Sequence, residues 1–207
     1  MFEKFQSLEL EKQELILNAV MKEFAEKGFK NASTNEIVTR AGISKGLLFH
    51  YFHNKKDLYL YVYDYVLNLL IHEFFDKIDW NERDIIARLR HCSRLKVDII
   101  QRYPEMFDFS LAALQEDAPE LKHELQHKNK AVLTSHQARL LEGIDPSLFR
   151  TDVDIPKALQ IILWTLEGMS NREKLRAPST IMDAAYYARI LEETDTYLDL
   201  LQKSFYR

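Results

Sequence analysis

The 207-residue chain holds one cysteine, Cys92, so no internal disulfide can form and a reducing cytoplasm is the expected setting. Glycine and proline number only five each, which argues against a turn-rich sheet protein and for long helices. No apolar run approaches the roughly 20 residues of a membrane-spanning helix, and Met1-Phe2-Glu3-Lys4 opens no signal peptide, so no membrane association is expected. An overall surplus of basic charge is missing too, since the net charge is −4. The most informative absence is local. Between Glu36 and Asp57 there is no Asp or Glu, whereas Arg40, Lys45, Lys55 and Lys56 all fall there. Residues 1–56 contain nine Lys/Arg against seven Asp/Glu, leaving nineteen against twenty-five in the remainder, so positive charge is concentrated in the N-terminal part.

The acid-free stretch has the layout of two short helices joined by a tight turn. Ser33 and Glu36 have the S-x-x-E spacing of a capping box, in which a hydroxyl and a carboxylate cap the first free backbone N–H groups. Ile37, Val38 and Ala41 give the first helix an apolar side, and Gly42 can take the positive φ that a tight helix exit demands. Ile43 precedes Ser44, a good N-cap for the second helix. There Leu48 and Phe52 lie four apart and face inward, leaving Lys45, Gly46, Leu47, Phe49, His50 and Tyr51 for the leading and outer surfaces. Gly46 is an unfavourable choice inside a helix, about 1 kcal/mol worse than Ala, and close approach of a backbone or phosphate would explain it. The arrangement reads as a DNA-binding helix-turn-helix; a hairpin that merely packs a core is the plain alternative.

The run T-x-x-I-V-x-x-A-G-I-S-K-G-L-L-F-H-Y-F-x-N-K-x-x-L, from Thr34 to Leu58, resembles the DNA-binding segment of the TetR family of bacterial transcriptional regulators. The likeness extends without gaps from about Leu15 to Leu58, roughly a quarter of the chain. It implies an all-helical homodimer with three N-terminal helices for a double-stranded DNA operator and a larger helical domain for an effector and the dimer contact. By position, it implies phosphate contacts at Thr34, Tyr51 and Lys55 and base-reading positions at Lys45, Gly46, Leu47, Phe49 and His50, with Asn35 and Ser44 alongside. Leu47 stands where the family often has Thr, and Phe49 where it often has Tyr. Two hydroxyls are thereby replaced by groups suited to thymine methyls.

The rest of the chain reads as helix after helix. Leu15, Ile16, Ala19, Val20 and Phe24 follow an amphipathic helical pattern that stops at Lys27-Gly28. A long helix is expected from about Lys55 to Phe75. Its Tyr59, Tyr61, Tyr63 and Tyr65 alternate as a strand would, but Leu58, Val62, Tyr65, Val66, Leu69 and Phe74 keep a helical stripe. Further helices are expected at about 82–102, 104–117, 119–142, 155–176 and 179–205, bounded by Pro104, Pro119, the Gly143–Pro146 turn, Pro156 and Pro178. The expected organisation is a helix-turn-helix domain over 1–54 and a helical-bundle effector and dimerisation domain over 55–207. The homodimer is assigned to helices 155–176 and 179–205. On the first, the assignment rests on Ile155, Leu159, Ile162, Leu163, Leu166 and Met169 with the small Ala158 and Gly168, and on the second on Ile181, Ala185, Ala188, Leu191, Leu198 and Leu201, although the same periodicity would serve an intramolecular core.

One motif points elsewhere. His123-Glu124-Leu125-Gln126-His127 is H-E-x-x-H, the zinc-protease signature. Leu121 and Leu125 define the buried stripe of that helix, and both histidines lie about 200° around from it, toward water. No third ligand is evident, and His91 with Cys92 also lacks the partners of a metal site. No cofactor, metal or catalytic residue is therefore expected. For an apolar or aromatic small-molecule effector the candidates are Phe74, Met106, Phe107, Phe109 and Trp164, residue types that serve cores equally well. The expected function is a ligand-responsive repressor that binds a palindromic operator as a homodimer. A DNA-bound adaptor answering to a protein partner is the alternative, and an HExxH zinc hydrolase a remote one.

Overall fold

The computed structural model describes residues 2–176 and 183–207, and the side chains of all of these except 129–138 and 174–176. The described residues are all-α, as the sparse glycine and proline predict. The helices are α1 (Glu3–Gln6), α2 (Leu10–Asn31), α3 (Thr34–Arg40), α4 (Lys45–Tyr51), α5 (Lys55–Glu73), α6 (Ile85–Arg102), α7 (Pro104–Leu114), α8 (Pro119–Leu140), α9 (Ile155–Arg176) and α10 (Ala184–Phe205). No helix among the described residues is long and apolar enough to cross a membrane.

Local chemistry accounts for most boundaries. Asn54 starts α5 by accepting the Asp57 N–H at 2.8 Å, and its own amide donates to the Asp57 carboxylate at 3.1 Å. Asp84 does the same for α6, accepting the Ile86 N–H at 2.8 Å, so that helix begins at Ile85 rather than near 82. The helices expected to end at 117 and 142 stop at Leu114 and Leu140. The span 155–176 agrees with expectation. Residues 177–182, which include the expected start of the last helix and Ile181, lie outside the described residues. From Asp183, whose side chain accepts the Tyr186 N–H at 2.8 Å, that helix runs to Phe205.

The chain divides into two compact units, Met1–Asp76 with Ile99–Gln137, and Lys77–Asp98 with Ala138–Arg207. These packing units are a different partition from the functional division expected at residue 54, because α5, α7 and part of α8 share a core with α2–α4. In the first unit Ile16, Val20, Phe24, Ile37, Leu48, Phe52, Leu58, Val62 and Phe109 are buried. Leu15, expected on the apolar side of α2, is 52% exposed instead, while Leu17 is buried. The alternating tyrosines are helical: Tyr59 and Tyr63 face the core, with Tyr59 edge-on to Phe24 at 4.8 Å and to Phe29 at 5.5 Å.

In the second unit Ile85, Ile86, Leu89, Phe149, Ala158, Ile162 and Leu198 form the core. Arg88 is buried beside them. Its guanidinium donates to the carbonyls of Leu140 at 2.7 Å, Glu142 at 3.0 Å and Trp80 at 3.4 Å, and also to Glu82. A single side chain thus satisfies the carbonyls at the end of α8 and in the loop before α6. Replacing Arg88 by Met should lower the unfolding free energy in denaturant titration by about 3 kcal/mol or more, because several acceptors lose a charged donor. Cys92 is also buried, and burial pushes its thiol up to about 11. It should alkylate slowly in the native protein at neutral pH and rapidly after unfolding, as followed by mass spectrometry.

Candidate nucleic-acid interface

The helix-turn-helix is built from α3, its turn and α4. Ser33 caps α3 by accepting the Glu36 N–H at 3.4 Å. The reciprocal half of the expected capping box is absent. The Ser33 N–H instead donates to Oε1 of Glu23 at 2.9 Å, a buried carboxylate on α2. Sequence spacing finds only local partners, and here a carboxylate from another helix has taken the place of Glu36. At the far end of α3, Gly42 has φ +62° and the Ile43 N–H returns to the Val38 carbonyl at 3.0 Å, closing the helix as its glycine predicts. Ser44 then caps α4, accepting the Leu47 N–H at 3.1 Å. Ile37, Ala41, Leu48 and Phe52 are buried and fix the two helices to the core.

On the outer side Asn35, Ser44, Lys45, Gly46 and His50 are exposed, while Thr34, Leu47, Phe49 and Lys55 are half-buried. Leu47 leans on the core, which reserves part of its surface for packing. Tyr51 is 7% exposed, its ring edge-on to Phe5 at 5.8 Å. Gly46 has an ordinary helical φ, and a Cβ there would meet nothing closer than Ser44 Oγ at 4.0 Å. The fold itself does not require a glycine at this position.

The charge reading needs a correction. The acid-free stretch does not stay uncompensated in three dimensions. Arg40 pairs with Glu26 of α2 at 3.0 Å and lies 3.6 Å from Glu23. Its hydrogen bond lowers the Glu26 carboxyl below the ordinary value. Lys56 pairs with Glu124 of α8 at 2.6 Å. Lys55 Nζ donates to the Lys30 carbonyl at 3.2 Å and sits 5.2 Å from the Phe29 ring centroid, and burial lowers its pKa. Lys45 makes no ion pair among the described residues and is exposed at the head of α4.

The family model described as bacterial regulatory proteins, tetR family, matches residues 16–62, which span most of α2, all of α3 and α4 and the start of α5. The transcriptional regulator RutR of Escherichia coli is 28% identical over 153 residues, covering 74% of this chain and 70% of its own. The fatty acid metabolism regulator protein of Bacillus subtilis is 24% identical over 73% of this chain and 78% of its own. These matches support a place in the TetR family. Among solved structures, a TetR family regulator from Chloroflexus aurantiacus superposes with TM-score 0.64 at 23% identity, covering 99% of this chain and 98% of that one. FadR from Bacillus halodurans gives 0.63 at 18% identity, with 89% and 96% covered. At these identities the structural likeness concerns the fold. The relatives are HTH-type transcriptional regulators, and the matched residues 16–62 contain α3 and α4.

The other candidates sit apart from that face. His123 and His127 are exposed, and Glu124 is held by Lys56. Among the described residues no group of three His, Cys, Asp or Glu is placed to hold a metal; the side chain of His136 lies outside them. Of the effector candidates, Met106 and Phe109 are buried, with Phe109 packed on Tyr59 at 5.3 Å and Phe24 at 6.4 Å. Phe74 and Phe107 are half-buried in the same unit, and Trp164 is 59% exposed in the other. Grooves between α2 and α7 are lined by Lys22, Glu26, Asp108 and Gln115 among others, and by none of the five. Since nothing in the protein crowds Gly46, Gly46→Ala should raise the thermal stability of the free protein slightly, by about 0.4–1 kcal/mol, while weakening its affinity for DNA in the same preparation.

Proposed function

We propose that this TetR-family regulator is a repressor that binds a palindromic operator as a homodimer and is released by a small-molecule inducer. The observation that carries the DNA-reading part is the exposed leading edge of α4. It offers an unpaired Lys45 and a Gly46 that the fold does not need, on a surface whose own sequence has no acid. Lys45, Gly46, Leu47, Phe49 and His50 are assigned to base edges, and Thr34, Asn35, Ser44, Tyr51 and Lys55 to the phosphate backbone. Leu47 and Phe49 offer methyl and ring contacts, which favour thymine-rich half-sites and a larger share of shape readout. The functional division follows residue 54, with the segment from 55 onward serving effector and dimer.

Dimerisation is assigned to α9 and α10, through a different stripe from the one periodicity suggests. Ala158, Leu159, Ile162, Leu163 and Leu166 pack on the core of their own unit. Left over on α9 are Ile161, 43% exposed, and Trp164, one turn on, with Gly168 a further turn along. On α10 the exposed face carries Ala185, Ala188 and Leu200, the last 55% exposed. Large apolar side chains beside small ones suit a second copy of the same pair of helices. Trp164 is therefore better placed for the dimer than for an effector.

For the effector, an apolar compound is supported by the aromatic supply of the first unit and by a relative whose name refers to fatty acid metabolism. A ligand-dependent rise in melting temperature across a panel of fatty acyl and aromatic compounds should identify its class. Selection of bound sites from random DNA tests the operator. It should return inverted repeats with half-sites about one helical turn, or a multiple, apart. His50→Ala should relax the preference at particular bases, whereas Lys55→Ala should weaken all sequences alike. Recovery of asymmetric sites, or an unaltered preference in the His50 variant, would count against these assignments. Trp164→Glu should shift the protein to monomer in sedimentation and abolish two-fold operator binding.

A further inference from the structure

Glu116 lies just beyond the end of α7, far in sequence from the helix-turn-helix. Its carboxylate nevertheless grips the backbone at the root of that motif. α2 is broken at Gly28, where φ is +67° and ψ 170°, and the Phe29 amide that follows finds its acceptor outside the helix. The Phe29 N–H donates to Glu116 Oε2 at 2.7 Å, and Oε1 accepts the Ala118 N–H at 3.0 Å, next to the start of α8. One carboxylate thus ties the break in α2 to the α7–α8 corner. A Cβ at position 28 would lie 3.6 Å from the same Oε2, so the carboxylate sits directly against the break.

The short segment between the break and α3 has two further supports. Glu23 holds the Ser33 N–H and Lys55 holds the Lys30 carbonyl, both from helices adjoining the motif. Of these three side chains Glu116 is the one supplied from beyond residue 62, the end of the family match. α7 itself packs along α2. A displacement of the α7–α8 corner would therefore reach the bend from which α3 and α4 depart through a charge-assisted hydrogen bond as well as through the apolar packing of α7 on α2.

We propose that Glu116 is a positioning residue for DNA recognition, setting the bend at Gly28 and with it the presentation of α4, without touching DNA. The inference rests on the DNA-reading role proposed for α3 and α4. The test uses the full-length protein, with an operator obtained by site selection, and the variants Glu116→Ala, Glu116→Gln and Lys45→Ala. Operator affinity is measured over a salt series, and exchange of the Phe29 amide is followed by hydrogen–deuterium exchange. Glu116→Ala should bind about tenfold more weakly with an unchanged salt slope, because no phosphate contact is lost, and Phe29 should exchange faster. Glu116→Gln retains a carbonyl oxygen and should recover part of both. Lys45→Ala should lower the salt slope and leave Phe29 exchange untouched. Equal operator binding by wild type and Glu116→Ala overturns the proposal while leaving the DNA-reading role intact. So does a loss that Gln does not relieve and that tracks the melting temperature. If the wild-type chain selects no DNA at all, the DNA-reading role fails, and the positioning role with it.

Discussion

The break in α2 is the constraint on which the N-terminal architecture depends. α2 must be long enough to bury Ile16, Val20 and Phe24, yet the chain must leave its axis before α3 can pack back on it. A positive φ at Gly28 allows that departure at little steric expense. It also leaves the Phe29 amide to find its acceptor outside the helix. Carboxylates answer both ends of the segment, Glu116 at Phe29 and Glu23 at Ser33. Charged acceptors make stronger hydrogen bonds than neutral ones, but a carboxylate as buried as Glu23 needs compensation. Arg40, at the end of α3, lies 3.6 Å from Glu23 and 3.0 Å from Glu26. α3 is thereby clamped at its start by a hydrogen bond from the Ser33 amide and at its end by an ion pair, both to α2.

The core beneath follows from the same arrangement. Phe24 and Phe29, on either side of the break, both meet Tyr59 of α5, and Phe24 and Tyr59 meet Phe109 of α7. Edge-on contacts between large rings fix mutual orientation better than aliphatic packing does, since ring quadrupoles favour particular angles. The break is therefore supported on one side by aromatic packing and on the other by Glu116. This explains why residues of α7, remote in sequence, belong to the same core as α2–α4.

Legibility in the sequence followed the range of the interactions. Caps at Ser33 and Ser44 and the positive φ at Gly42 depend on residues within a few positions, and the sequence displays them directly; Gly28 reads as the end of α2, whereas the helix resumes beyond it to Asn31. Helix 155–176 was readable because periodicity and an early proline bound it. What could not be read were choices made by distant partners. Nothing local distinguishes Glu23 from Glu36 as the acceptor for Ser33, or reveals that Glu26 and Glu124 come to rest on Arg40 and Lys56. Nor does period 3.6 say which of two adjacent stripes on α9 covers its own core: Ile162, expected to face a partner, is buried in its own unit, while Trp164 is exposed. Arg88 would have passed for a surface cation. Its burial is visible only when four carbonyls are seen to converge on it.

The ion pairs also rank the cations available to a phosphate backbone. Lys45 is exposed and makes no ion pair among the described residues, so a phosphate contact from it would displace nothing but water and counterions. Lys56 must first release Glu124, but that side chain is 35% exposed and returns to solvent readily. Arg40 is different in kind. Turning it toward DNA would leave Glu23, whose side chain is 2% exposed, as a buried carboxylate with its nearby cation withdrawn. The same movement would loosen the end of α3 just where the turn to α4 begins. Arg40 is therefore held to the fold. The acid-free stretch thus offers less a uniform basic surface than one open cation at the head of α4, with Lys55, which donates to the Lys30 carbonyl, and Lys56, paired with Glu124, both engaged by the fold at the start of α5.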